Sequence, residues 1–189
     1  MKNLYLLLVS IIMCMTTSKA FAYDIAVKND DGVTIYYNYY NEGTELQVTS
    51  NSNNMYKDTV NIPESVTYMN RTRKVTSIGE SAFETCYNLT SVSIPTSVTS
   101  IGRYAFKNCS KLTSVTIPSS VTSIGEGAFL YCSRLWRVNV TVVDLAAFFN
   151  NNICQKIRST TEDPTVHLFG ENGNEIKEYV IPSSVTTVL

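Results

Sequence analysis

Residues 89–109, LTSVSIPTSVTSIGRYAFKNC, return 23 positions later as residues 112–132, LTSVTIPSSVTSIGEGAFLYC. The second half of this unit also occurs once earlier, as VTSIGESAFETC at residues 75–86. Self-similarity at a fixed period of 20–50 residues is typical of repeat proteins. The repeat therefore decides the fold, and each 23-residue unit is called a rung below.

Each part of the rung has a physical interpretation. In LTSVTI the polar and apolar residues alternate, which is typical of a half-buried strand, and the following Pro ends the strand. The run VTSIG predicts a second, short extended piece, with Gly free to take the turn. The Ala-Phe-x-x-Cys step places Phe and Cys three residues apart, which predicts one face of a single helical turn. The expected rung is strand, turn, short extended piece and short helix.

A single rung cannot be stable alone. Each buried apolar side chain contributes about 1.5–3 kcal/mol, whereas fixing each backbone residue costs roughly 1–2 kcal/mol. Each rung must therefore cover the apolar face of its neighbour and pair with its strand edge. The sequence predicts a parallel, right-handed solenoid.

The pattern Leu-x-x-Val-x-Ile-Pro-x-Ser-Val-x-x-Ile-Gly-x-x-Ala-Phe-x-x-Cys closely resembles the BspA-type leucine-rich repeat, from about Asn61 to Asn139. Pro stands near the position where commoner leucine-rich repeats have a buried Asn ladder. The resemblance implies a leucine-rich-repeat solenoid in a secreted or cell-surface protein, typically of anaerobic bacteria or protozoan parasites, that takes part in adhesion to host matrix or other cells. It implies no fixed ligand and no defined site residues.

The first 22 residues are predicted to be a signal peptide. Lys2 precedes an apolar run at residues 4–15, and Ala20-Phe21-Ala22 is a small-x-small cleavage pattern. The run is too short for a membrane span, which needs about 20 residues, and no later segment is a candidate for a span. A lipoprotein leader that uses Cys14 is the alternative. Either leader predicts a secreted or cell-surface protein.

Irregular segments flank the rungs. Residues 23–58 are expected to form an N-terminal β cap, with a strand at 33–37 and an antiparallel partner at 45–49. Residues 59–141 contain the repeats, with an inserted hairpin near 68–74. Residues 142–178 are expected to hold an inserted helix and a β-hairpin, and residues 179–189 restart a rung without finishing it. That end predicts either a truncated longer array or end-to-end self-association through an uncapped edge.

Charge and motifs argue against nucleic-acid binding and catalysis. Fifteen basic residues balance 16 acidic ones, so nothing favours binding of phosphates. His167 is the single histidine and belongs to no hydrolase motif, and Glu162 and Asp163 are interpreted as solvated loop charges. No metal-ligand spacing and no phosphate-binding loop occurs. We expect no enzyme activity, no cofactor and no metal.

The cysteines of the mature chain admit two interpretations. Cys86, Cys109 and Cys132 share one rung position, which favours a ladder of buried thiols. Neighbouring rungs would bring their Cα atoms to about 5 Å, so disulfides between neighbours, or with Cys154, stay open. Four Asn-x-Ser/Thr sequons occur, at Asn70, Asn88, Asn108 and Asn139, and they matter if the source is eukaryotic.

The outward strand positions, together with one aromatic residue, form the candidate ligand-binding face. They are Thr90, Ser91, Ser93, Thr113, Ser114, Thr116, Trp136, Arg137 and Asn139. The alternative interpretation is that they are solubilising strand-forming residues. Four N-terminal tyrosines would be further anchors if exposed, although core or cap packing is expected for most of them: Tyr36, Tyr37, Tyr39 and Tyr40. The predicted function is binding of an extracellular protein or glycan; the alternative is a structural spacer, or a fragment of a larger surface protein.

Overall fold

A computed structural model describes residues 23–50, 56–141, 167–169 and 174–175. The predicted leader, with Cys14, lies outside these residues. So do the inserted helix with Cys154, the loop acids Glu162 and Asp163, and the restarted rung at 179–189.

Twelve strands are formed by the described residues. In chain order they are β1 (Ile25–Lys28), β2 (Thr34–Tyr40), β3 (Glu45–Thr49), β4 (Asp58–Asn61), β5 (Ser65–Tyr68), β6 (Arg71–Ile78), β7 (Leu89–Ser93), β8 (Ser100–Ile101), β9 (Ser114–Pro118), β10 (Ser123–Ile124), β11 (Arg137–Thr141) and β12 (His167–Phe169). A short 3-10 turn, Asn41–Gly43, joins β2 to β3. Sheet A has the order β1-β2-β3-β6-β8-β10, with β5 paired to β6, and sheet B has the order β12-β11-β9-β7-β4.

The parallel stacking of the rungs is confirmed by the strand register. In sheet B, Val92 lies opposite Val115, which lies opposite Val138, and every step is 23 residues. In sheet A, Ser100 lies opposite Ser123 with the same offset. The strand and the short extended piece of each rung therefore belong to different sheets.

The phenylalanines form a common interior row. Phe83, Phe106 and Phe129 are all 0% exposed. Their ring centroids lie 4.9 and 5.1 Å apart, with interplanar angles of 10° and 1°. The hydrophobic core is thus continuous from rung to rung.

The predicted helical turn at the Ala-Phe-x-x-Cys step is wrong. Residues 79–86 form consecutive turns, because Ser81 and Thr85 adopt left-handed φ values of 54° and 61°. Amide groups then alternate: that of Ala82 donates within its own rung to the carbonyl of Gly79, whereas that of Phe83 donates to the carbonyl of Ala105 in the next rung at 2.7 Å. An α-helix would use these groups internally. The equivalent residues 102–109 and 125–132 also form turns, and the three segments together are called the turn face below.

The predicted role of the repeated glycine is also wrong. Gly79, Gly102 and Gly125 are not among the residues with positive φ, so the turn does not need their conformational freedom. A Cβ on Gly102 would instead lie 2.6 Å from the backbone of the preceding rung. The close approach of two backbones is what requires glycine here.

The N-terminal residues form strands that extend sheet A. β2 pairs antiparallel with β3, as predicted for residues 33–37 and 45–49, and β3 pairs in parallel with β6. Tyr36 and Tyr37 are buried, whereas Tyr39 and Tyr40 are 42% and 39% exposed.

Tyr56 extends the phenylalanine row toward the N-terminus. Its ring centroid lies 4.6 Å from that of Phe83 and 6.0 Å from that of Tyr36. Its hydroxyl accepts a hydrogen bond from the Tyr36 amide at 3.0 Å and donates one to the Thr49 carbonyl at 2.9 Å. Tyr56 therefore fills the space that a phenylalanine fills in the regular rungs, and its buried hydroxyl group is hydrogen-bonded as well.

The predicted inserted hairpin is confirmed. β5 and β6 pair antiparallel from Ser65 opposite Lys74 to Tyr68 opposite Arg71. The two turn residues, Met69 and Asn70, have φ values of 48° and 59°, as a two-residue type I′ connection requires.

The cysteines of the rungs are buried free thiols. This holds for Cys86, Cys109 and Cys132, and the Cys109 and Cys132 thiols donate to the carbonyls of Phe83 and Phe106 at 3.1 and 3.0 Å. Burial raises the pKa of the Cys86 thiol from 9.0 to about 11. The neighbouring Cys132 thiol, and burial after it, raise the pKa of Cys109.

We predict that these three thiols resist alkylation in the folded protein. At pH 8, raising the pKa of Cys86 to about 11 lowers its thiolate fraction about a hundredfold, and burial restricts access further. Iodoacetamide labelling followed by peptide mass mapping should show that each thiol is alkylated at least about a hundredfold more slowly in the native chain than in concentrated urea. Equal rates in both states for Cys109 would contradict the buried ladder. Because a raised folded pKa favours the neutral thiol, the stabilisation it provides should be lost as the pH rises above 9 toward 11.

Candidate ligand-binding face

Two outward rows of side chains cross sheet B at right angles to its strands. The first row contains Thr59, Ser91, Ser114 and Arg137, and the second contains Asn61, Ser93, Thr116 and Asn139. The valines between the rows, such as Val92 and Val115, are buried, so the row residues point away from the core. A third set, Thr90, Thr113 and Trp136, occupies the rung position before the first row.

The predicted face residues lie together on this surface. Ser93 and Trp136 are exposed, and the other seven are half-buried: Thr90, Ser91, Thr113, Ser114, Thr116, Arg137 and Asn139. A hydroxyl or amide group is thus offered on each rung, at the strand spacing of about 4.8 Å.

The part of the face at β11 differs from the part on β4, β7 and β9. Trp136 is 49% exposed, and the Arg137 guanidinium carbon lies 6.0 Å from the centroid of its ring. The Arg137 Nε donates to the Asn139 Oδ1 at 2.8 Å, and the Asn139 Nδ2 donates to the Thr116 Oγ1 at 3.3 Å. This chain of contacts fixes a planar cation beside an exposed aromatic ring.

Two cations that sequence reasoning missed lie beside this face. Asn88, Lys111 and Arg134 occupy one rung position, immediately before the buried leucines that precede or begin the strands of sheet B. The Lys111 Nζ donates to the Asn88 Oδ1 at 2.9 Å, which shows that side chains at this position meet across rungs. Arg134 is exposed. The 23-residue spacing alone would have grouped these residues.

Two ion pairs lie on the turn face. Residues 85–141 contain five basic residues and a single acidic one, Glu126. Glu126 lies 3.6 Å from the Nε of Arg103, and Lys107 lies 2.9 Å from Glu84. The hydrogen bond from the Ser81 hydroxyl, and next that from Lys107, lower the pKa of Glu84. The cations of those ion pairs, Arg103 and Lys107, belong to the turn face. Lys111 and Arg134 pair with no acid among the described residues.

Two grooves of the described surface, of about 290 and 280 Å³, lie at the β4 edge of sheet B. They are lined by the β1–β2 loop on one side, and Asn61 and Thr59 of the two rows are among their lining residues. The Asn29 Nδ2 crosses to the Asn61 carbonyl at 2.8 Å and protects this sheet edge. Within the described part of the chain, no three His, Cys, Asp or Glu side chains are grouped to hold a metal ion. That part also contains no helix long and apolar enough to cross a membrane.

His167 lies in β12, at the strand position predicted for it. β12 pairs in parallel with β11, so the backbone of His167 is in register with that of Arg137. Of the residues predicted to form the antiparallel partner of this strand, the structure describes only Asn174 and Glu175.

The stacked rungs and their register define a leucine-rich-repeat protein. A family model described as a BspA type leucine rich repeat region matches residues 49–162 and 76–188, in six copies. The chain belongs to this family.

The chain is similar to several solved structures. A leucine-rich-repeat protein of Bacteroides capillosus is 24% identical with a TM-score of 0.56, and the match covers 78% of this chain and 99% of that one. A leucine-rich cell surface protein of Faecalibacterium prausnitzii is 29% identical with a TM-score of 0.49, over 62% and 33% of the two chains. A Bacteroides ovatus leucine-rich-repeat protein is 25% identical with a TM-score of 0.40, over 62% and 47%. This chain thus spans a third of the Faecalibacterium protein and about half of the B. ovatus one. No curated protein matches the sequence.

Proposed function

We propose that this chain is a non-catalytic binding module, exported or held at the cell surface, and that the outward face of sheet B holds its ligand. The observation that carries the proposal is the Trp136–Arg137 pair beside two rows of hydroxyl and amide side chains. Tryptophan and arginine are the side chains that most often dominate interface energies. The partner is an extracellular protein or a glycan, and the predicted leader at residues 1–22 supports export.

The rigidity of the face supports this use. Arg137 and Asn139 are hydrogen-bonded, and β11 is paired on both sides, to β9 and β12. A ligand that binds here meets side chains that are already in position, so little conformational entropy is lost on binding. Sheet B is therefore better suited to recognition than an irregular loop would be.

The test is a binding measurement on the purified chain, with a panel of extracellular matrix proteins and glycans. Trp136→Ala combined with Arg137→Ala should weaken saturable binding at least about tenfold. The matched control is Tyr131→Ala combined with Arg103→Ala on the turn face, where Tyr131 is 45% exposed and Arg103 51% exposed. The control should bind like the unmodified chain. If the control double variant alone loses binding, the ligand site lies on the turn face and not on sheet B. If nothing in the panel binds, the spacer hypothesis replaces this one.

A further inference from the structure

We propose that the outward face of sheet B binds an acidic polysaccharide, one whose sugar units carry carboxylate or sulfate groups, with Trp136 packed against a sugar ring. The inference rests on the proposed function and names the ligand class for the same face.

Three cations lie near the point where the rungs enter sheet B. Lys111 and Arg134 are exposed turn residues that stand three positions before β9 and β11, and Arg137 is the first residue of β11. Asp58, at the far edge of the sheet in β4, is the single acidic residue on its described strands. Because exposed charges interact over roughly 10 Å at 0.1 M salt, this side favours a negatively charged ligand.

The face also presents hydrogen-bonding groups. Between Asp58 and Arg137 it carries neutral hydroxyl and amide groups, two on each of β4, β7 and β9, including Ser91, Ser114 and Thr116. A polysaccharide presents hydroxyl groups along its whole length and acidic groups at intervals. The face therefore offers partners for both kinds of group.

The Trp136 ring offers an apolar contact for a sugar. It is half exposed, and it lies beside the Arg137 guanidinium group. The apolar C–H face of a sugar ring packs against the negative face of an aromatic ring, while the adjacent cation binds a carboxylate or sulfate. One sugar unit could thus contact both Trp136 and Arg137.

The alternatives among acidic macromolecules fit less well. A peptide taken up as an added strand needs a free sheet edge, whereas β7, β9 and β11 each lie between two strands. A nucleic acid needs a dense row of cations to neutralise its phosphates, and the whole chain has a net charge of −1.

The test uses the purified chain with polygalacturonate and chondroitin sulfate as acidic polysaccharides, and with dextran as a neutral one. Saturable binding to at least one acidic polysaccharide is expected, and the affinity for dextran should be lower by a factor of about ten or more. Trp136→Ala, and separately Lys111→Ala combined with Arg134→Ala, should each weaken the acidic interaction about tenfold. Arg103→Ala, which removes a cation of the turn face, should leave it unchanged, and added salt should weaken it.

Several outcomes would overturn the inference. Equal binding of dextran would show that charge has no role. Tighter binding of polyglutamate or single-stranded DNA would assign the face to another class of ligand. A matrix protein that needs Trp136 and Arg137, with no polysaccharide bound, would remove this inference and keep the proposed function; no ligand at this face in either experiment would remove both.

Discussion

Phe106→Ala is expected to lower the free energy of unfolding by about 3–5 kcal/mol. Phe106 is fully buried between Phe83 and Phe129, whose ring centroids lie 4.9 and 5.1 Å away. Removing the ring leaves a cavity that the neighbouring rings cannot fill, because hydrogen bonds in both sheets and along the turn face fix the backbones of the flanking rungs. In a stacked array the loss affects two rung interfaces at once.

Urea denaturation followed by tryptophan fluorescence and circular dichroism measures this loss. Phe106→Leu, which keeps most of the apolar volume, should cost clearly less than Phe106→Ala. Tyr131→Ala, on the exposed side of the same array, should change the free energy of unfolding by less than about 0.5 kcal/mol. If Phe106→Ala costs less than about 1 kcal/mol, the ring is not enclosed and the continuous row does not exist.

The regular part of the fold could be predicted from the sequence because each rung repeats the same residues. A fixed period of 23 residues determines both the parallel pairing and its register, so Val92, Val115 and Val138 had to lie side by side. Alternation then separates Val115 inside from Ser114 outside. The same period also predicts that the phenylalanines of successive rungs form one row.

The turn face could not be predicted in the same way. Phe and Cys three residues apart fit a helical turn as well as they fit consecutive turns with i to i+3 hydrogen bonds. What decides between them is the left-handed backbone at Ser81 and Thr85, which neither residue favours by itself. The hydrogen bonds to the next rung stabilise that conformation, and they connect residues that are 22 apart in sequence.

Tyr56 shows the other limit of sequence reasoning. It stands outside the 23-residue period, so no repeat position marks it as the continuation of the phenylalanine row. Its buried hydroxyl is satisfied by Tyr36 and Thr49, which belong to two different strands. A contact of this kind depends on how the N-terminal strands join the first rung.

The candidate face was predicted residue by residue, but its charge was not. Strand alternation identifies Ser91, Ser114 and Arg137 as outward, and the structure places them in one row. Lys111 and Arg134 precede the strands, where alternation gives no direction. Their importance follows from the ion pairs of the turn face, which involve Arg103 and Lys107. Lys111 and Arg134, by contrast, have no acidic partner among the described residues.

Gly102→Ala is expected to destabilise the protein by about 3 kcal/mol, the upper end of the usual cost of overpacking. The added Cβ would lie 2.6 Å from the Glu80 nitrogen and 2.6 Å from the Gly79 carbonyl carbon. Both are backbone atoms, so no side-chain rotation can relieve the contact. The two rungs would have to separate, and the hydrogen bond from the Gly102 amide to the Ile78 carbonyl, 2.8 Å long, would weaken.

A matched variant separates this contact from backbone conformation. Gly32 has a φ of +79°, and a Cβ added to it would have no atom within 4 Å, so Gly32→Ala should cost about 1 kcal/mol through strain alone. Gly102 has no such φ, and without the contact an alanine there would stabilise the chain by about 0.4–1 kcal/mol, because it restricts the unfolded state. Urea midpoints at constant m-value give the free energies of unfolding of the unmodified chain, of Gly102→Ala and of Gly32→Ala. A Gly102→Ala protein as stable as the unmodified chain would mean that the rungs do not approach so closely, and Gly125→Ala, whose Cβ would lie 2.3 Å from the Arg103 nitrogen, should then be tolerated too.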